Sequence, residues 1–129
     1  MGNYRIYFNT KMLDDALLKS YVTPQIVEES SRYVESVALG LGVPASAIVS
    51  PTPDIVRRLA LYFAYFTAAM RKASYSVGKE AEKDSFHLKM RAYKELLDEV
   101  EGRLTAESFT GGTLAKKRTF PATMSMLRN

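Results

Sequence analysis

At 129 residues, with 47% hydrophobic and 25% charged side chains, the chain has the make-up of one globular domain long enough to bury a core unaided. The absence of cysteine excludes a disulfide framework and any thiolate metal site. The net charge of +4 is unevenly placed: residues 1–110 hold 14 Lys/Arg against 14 Asp/Glu, and residues 111–129 add Lys116, Lys117, Arg118 and Arg128 with no acid. The pI near 9.3 therefore describes a neutral body with a basic tail, which argues against a nucleic-acid-binding face on the body.

Met1–Thr10 contains no apolar run of signal-peptide length. Ile6 stands where N-myristoylation wants Ser or Thr. Neither a leader nor a lipid anchor is expected. Tyr4, Ile6 and Phe8 alternate with Arg5 and Tyr7, a period of two that predicts a short extended strand or arm. Met12–Leu18 is long enough for a helical turn or two and too short to stand alone.

Thr23-Pro24 opens the first predicted helix. Thr is a good N-cap, and Pro suits a first helical position whose N–H would have no partner. Ile26, Val27, Val34, Val37, Ala38 and Leu41 return to one face, and Gly40, Gly42 and Pro44 supply the stop. A connector with Pro44, Pro51 and Pro53 follows, with room for a turn at Ser46–Val49.

Thr52-Pro53-Asp54 opens a second helix predicted to reach about Ser74, roughly 30 Å long. Its middle, Leu59 to Met70, is apolar on nearly every side and is broken only by Thr67. The run is shorter than the ~18 residues of a membrane span, so no membrane association is expected. A helix apolar all round must be covered all round. It is read as the central helix, with part of its surface available to another subunit. After a break at Ser74–Gly78, a third helix is predicted over about Lys79–Leu104. Phe86, Met90, Tyr93, Leu97, Val100 and Leu104 form its stripe, and Arg91–Glu95, Lys94–Asp98 and Glu99–Arg103 are its i,i+4 pairs.

From Gly111-Gly112 onward the helical period and the acids both vanish. Leu114, Phe120, Met124, Met126 and Leu127 are interleaved with the four cations. Basic, apolar and aperiodic together predict a segment that orders on a partner. The expected fold is all-α: a small helical bundle with a long central apolar helix, an extended N-terminal arm over residues 1–21, a body over 22–110, and an extended docking tail over 111–129.

Residues that could carry catalysis are sparse. His87 is the only histidine, and its sequence neighbours Asp84 and Ser85 do not make a nucleophile–base array. One His without Cys does not make a zinc site. Gly78-Lys79 lacks both the upstream glycine and the Ser/Thr of a phosphate-binding loop, since Ala73 and Glu80 occupy those places. The acidic pairs Asp14-Asp15, Glu28-Glu29 and Glu80/Glu82 read as helix-start and solvated carboxylates. No catalysis, cofactor or metal is expected. Arg57, Arg58, Arg71 and Lys72 on the central helix are candidates for a subunit interface or a DNA-facing channel surface. Tyr62, Phe63, Tyr65 and Phe66 read as core.

The arrangement resembles the small helical head-tail connector proteins, or adaptors, of long-tailed double-stranded DNA bacteriophages. The resemblance runs from about Val22 to Leu104. It rests on the Thr23-Pro24 opening, the Gly- and Pro-rich connector from Gly40 to Pro53, the run Arg58-Leu59-Ala60-Leu61-Tyr62 in the long apolar helix, and the later helix ending Leu96-Leu97-Asp98-Glu99-Val100-Glu101-Gly102-Arg103-Leu104. It implies a structural virion protein of the head-tail neck, assembled in the host cytoplasm as a homo-oligomeric, usually dodecameric, ring. Such a ring binds the portal, joins it to a stopper or tail protein and extends the DNA channel, with non-specific contact to packaged DNA. The portal-binding role would fall on the tail, through Leu114, Lys116, Lys117, Arg118, Phe120, Met124, Met126, Leu127 and Arg128. The alternative reading is a small helical DNA-binding or regulatory protein.

Overall fold

The computed structural model describes residues 4–75 and 80–111, and it is all-helical. Four α-helices follow one another: α1 (Pro24–Gly40), α2 (Asp54–Tyr75), α3 (Glu80–Arg103) and α4 (Ala106–Thr110). Short 3-10 turns lie at Thr10–Met12, Lys19–Tyr21 and Ala45–Ala47.

The ends of α1 follow from their residue types. The Thr23 hydroxyl accepts the Ile26 N–H at 3.2 Å, and Pro24 takes the first turn. At the other end Gly42 adopts a left-handed φ of 85°. Its N–H reaches the Leu39 carbonyl at 2.9 Å, and the Val43 N–H reaches Ala38 at 2.8 Å. That pair of bonds closes the helix and seats Val43 in the core.

α2 is the central helix, as its composition predicts. It packs along α3 and, less extensively, along α1, with α4 against it too. Val56, Leu59, Ala60, Leu61, Ala64, Tyr65, Ala68, Ala69 and Ala73 are buried, while Tyr62, Phe63 and Phe66 are half-buried and Met70 is exposed. Of the four aromatics read as core, only Tyr65 is buried; Tyr62 and Phe63 pack against the core from its edge and Phe66 is half-buried. Tyr33 of α1 stacks on Phe63 at 4.3 Å between centroids, and Tyr93 of α3 lies 4.8 Å from Tyr65 and 6.0 Å from Tyr62. Ser30 meets α2 directly, its hydroxyl donating to the Ala60 carbonyl at 2.8 Å. On α3 the stripe buries Phe86, Leu97 and Val100, with Met90 and Tyr93 half-buried, and Leu104, just past the helix end, is buried too. Of the predicted i,i+4 pairs, Lys94–Asp98 closes at 2.9 Å.

Two local expectations change. The period of two over residues 4–8 does not hold: Tyr7 and Phe8, consecutive, are both buried, and Ile6 is exposed. The backbone bends at residues 7–8 rather than alternating, so the first segment lies against the bundle. No helix is expected from sequence over residues 105–110, at the end of the body. They form α4, where Thr105 and Ser108 make a reciprocal capping box and Phe109 is buried.

Candidate functional site

Two sets of candidates have different outcomes. Leu114, Lys116, Lys117, Arg118, Phe120, Met124, Met126, Leu127 and Arg128 lie outside the described residues. The four basic residues of α2 are described, and they divide between its ends.

At the start of α2, Arg57 and Arg58 both reach Asp54, at 3.1 and 2.9 Å, and Arg57 also donates to the Thr52 carbonyl at 3.0 Å. At its end, Arg71 pairs with Glu29 of α1 at 2.7 Å, and the Lys72 ammonium sits 4.5 Å from the Tyr21 ring centroid. Fourteen residues of helix separate the two pairs by about 20 Å. The geometry brings no pair together with the other, and each cation already has a partner in its own chain.

A constellation that no sequence motif announces lies where the first segment meets α2 and α3. Asp15, read from sequence as solvated, has a side chain only 2% exposed. One carboxylate oxygen accepts the N–H groups of Leu17 and Leu18 at 3.0 and 2.9 Å. The other accepts the Lys89 ammonium at 2.9 Å and the Tyr93 hydroxyl at 2.6 Å. The Asp15 N–H in turn donates to the Tyr65 hydroxyl at 2.9 Å, and that hydroxyl donates to Asp14 at 3.4 Å. The local geometry is an aspartate turn, in which the side chain caps the N–H groups that follow it.

The electrostatics follow from the partners. Burial alone would push the Asp15 carboxyl up, but the hydrogen bonds from Tyr93, Lys89 and the Leu18 N–H, with the Lys89 charge, outweigh it and hold the group below its ordinary value. Burial first, and then the hydrogen bond and charge of Asp15, raise the Tyr93 hydroxyl. Burial also raises Tyr65. An ionised carboxylate with four donors in place has no capacity left to take a proton from a substrate. The cluster is an anchor that fastens residues 14–18 to two helices. Lys89 and Tyr93 stand four apart on one face of α3, a spacing that aligns the two donors but does not itself point to Asp15.

A second anchor holds residues 5–7. The Arg5 guanidinium donates to the carbonyls of Ile48 and Val49 at 2.7 and 2.6 Å, and the buried Tyr7 hydroxyl donates to Glu35 at 2.6 Å. Burial and then Glu35 push that phenol upward.

The remaining candidates do not converge. His87 is half-buried and lines a shallow depression with Asp84, Leu88 and Arg91 of the same helix. Among the described residues no group of three His, Cys, Asp or Glu is placed to hold a metal ion, and no helix is long and apolar enough to cross a membrane. Among the described residues, Leu39 and Leu88 are the most exposed large apolar side chains, at 67% and 64%. No family model, curated protein or solved structure matches the chain.

Proposed function

We propose that the chain is a structural, non-catalytic virion protein: a ring-forming head-tail connector that joins a portal to a stopper or tail protein and extends the DNA channel. The observation that carries this reading is the disposition of charge. The body is neutral in sum, and the four cations of its central helix are taken up by Asp54, Glu29 and the Tyr21 ring. The unbalanced charge is confined to residues 111–129, where Lys116-Lys117-Arg118 and Arg128 stand among apolar side chains. A neutral helical body with a basic, apolar tail is suited to protein contacts and to passive lining of a channel. The resemblance of residues 22–104 to phage adaptors supplies the architecture. The alternative, a helical DNA-binding or regulatory protein, is less well supported, because the α2 cations form no contiguous basic surface.

Mass photometry of the chain mixed with a portal ring tests the reading. The expected result is a discrete complex carrying one ring of copies, lost when the chain is ended at Gly111. A full-length chain that stays monomeric beside the portal sinks the connector reading. A shortened chain that still binds sinks the role of the tail.

A further inference from the structure

We propose that the apolar groove between the N-terminal segment and the start of α1 is the seat of this chain's own C-terminal segment, with Phe120 filling it. The proposal goes beyond the connector reading and does not rest on it.

The groove is built by packing already described. Tyr4, Ile6, Leu13, Val22 and Val27, with Thr10, line a depression of about 210 Å³. The Arg5 anchor turns Ile6 outward, leaving it 47% exposed at this apolar surface. An apolar cavity of roughly 150 Å³ accepts benzene, so the groove has room for one phenyl ring. Residues 112–129 contain one aromatic side chain, Phe120.

The described chain also ends in the right place. α4 closes at Gly111, whose left-handed φ of 69° turns the backbone beside Val49; a Cβ there would lie 3.5 Å from the Val49 side chain. The Val49 N–H donates to the Phe109 carbonyl at 3.0 Å, and the Val49 carbonyl accepts from Arg5 at 2.6 Å. Arg5 lies between Tyr4 and Ile6, two residues of the groove wall. One arginine side chain thus separates the exit point from the groove. The nine residues from Gly112 to Phe120 extend to about 30 Å, more than enough to cover that interval. A tether this short holds Phe120 at an effective concentration in the millimolar range, which favours the chain's own tail over that of a second copy. Asp14, exposed and next to Leu13, offers a carboxylate to the Lys116–Arg118 cations on the approach. A partner that takes the tail must first compete with this groove.

The chain has no cysteine, so paired cysteines report the contact cleanly. The test variant carries Thr10→Cys with Ala122→Cys. The collision control carries Ser46→Cys, on the connector that holds Val49, with the same Ala122→Cys. Under mild oxidation the groove pair is expected to close within one chain at least about tenfold faster than the control. The rate should not change on dilution, and it should fall to the control rate when Phe120→Ser is added. Equal rates for the two pairs overturn the proposal. Cross-linking between copies, with a rate that scales with protein concentration, overturns it in favour of a second copy's tail. As a readout that needs no groove substitution, Phe120→Ser in the otherwise unaltered chain should shift the Ile6 and Leu13 methyl resonances. Unchanged methyl shifts also overturn it.

Discussion

Removing the Asp15 carboxylate leaves the N–H groups of Leu17 and Leu18 and the Tyr93 hydroxyl without their acceptor inside the protein. Unsatisfied buried donors are costly, so Asp15→Ala should lower stability by about 2–4 kcal/mol, read as a fall in urea midpoint. Lys89 is 41% exposed, and its charge is screened, so Lys89→Met should cost about 1 kcal/mol or less. A Lys89 variant as damaging as the Asp15 variant would mean that the ion pair, and not the hydrogen bonds, is the anchor. The pH dependence has a definite sign. Asp15 is held below its ordinary value, so its contribution is complete above the unfolded pKa of about 3.9 and is lost as pH falls through the lower folded value. Asp15→Asn should therefore flatten the acid limb of the stability curve in that window, and an unchanged limb would remove Asp15 from the account. This residue was not legible in the sequence. Asp14-Asp15 looks like any solvated acidic pair, and what buries it is a contact with residues 74 and 78 positions away.

The helices were legible because their signals are local. Thr23-Pro24 and Thr52-Pro53-Asp54 are start signals within three residues, Gly42 is a stop, and the α3 stripe repeats every turn. α4 is five residues long and carries too little periodicity to be seen. The Tyr4-Ile6-Phe8 alternation misled because Arg5 is fixed by two carbonyls of the distant connector, which decides which neighbours face inward. Ser30 shows the same limit. A serine in an apolar helix face looks like a defect until α2 supplies the Ala60 carbonyl opposite it. Ser30 is 1% exposed and Ala60 is fully buried, so the two helices meet there through small side chains. Ser30→Leu keeps the face apolar but adds bulk at a filled contact, and overpacking of that kind costs about 1–3 kcal/mol. Thermal denaturation of Ser30→Leu beside Ser30→Ala separates the effects. The Ala variant should lose only the hydrogen bond, about 1 kcal/mol. If the leucine is the more stable of the two, α1 and α2 are not in close contact at this point.

At the scale of the molecule, charge placement separates a connector from a DNA-binding protein without any partner in hand. Each phosphate contact made by a cation contributes about 0.9 to the slope of log affinity against log salt on duplex DNA. Only the four tail cations lack a counterpart in the summed charge of residues 1–110. If they alone meet DNA, the slope is no steeper than about −3.6. Binding should be weak and indifferent to sequence, and the chain ended at Gly111 should lose it. Replacing Arg57 and Arg58 together by Gln should leave the slope unchanged, since both guanidiniums already face Asp54. Fluorescence anisotropy on a labelled duplex across a salt series supplies all three values. A steeper slope, or one that falls with the Arg57/Arg58 substitution, would place DNA on the body and favour the DNA-binding alternative. A shallow slope carried wholly by the tail leaves the body free to line a channel through which DNA passes without being held.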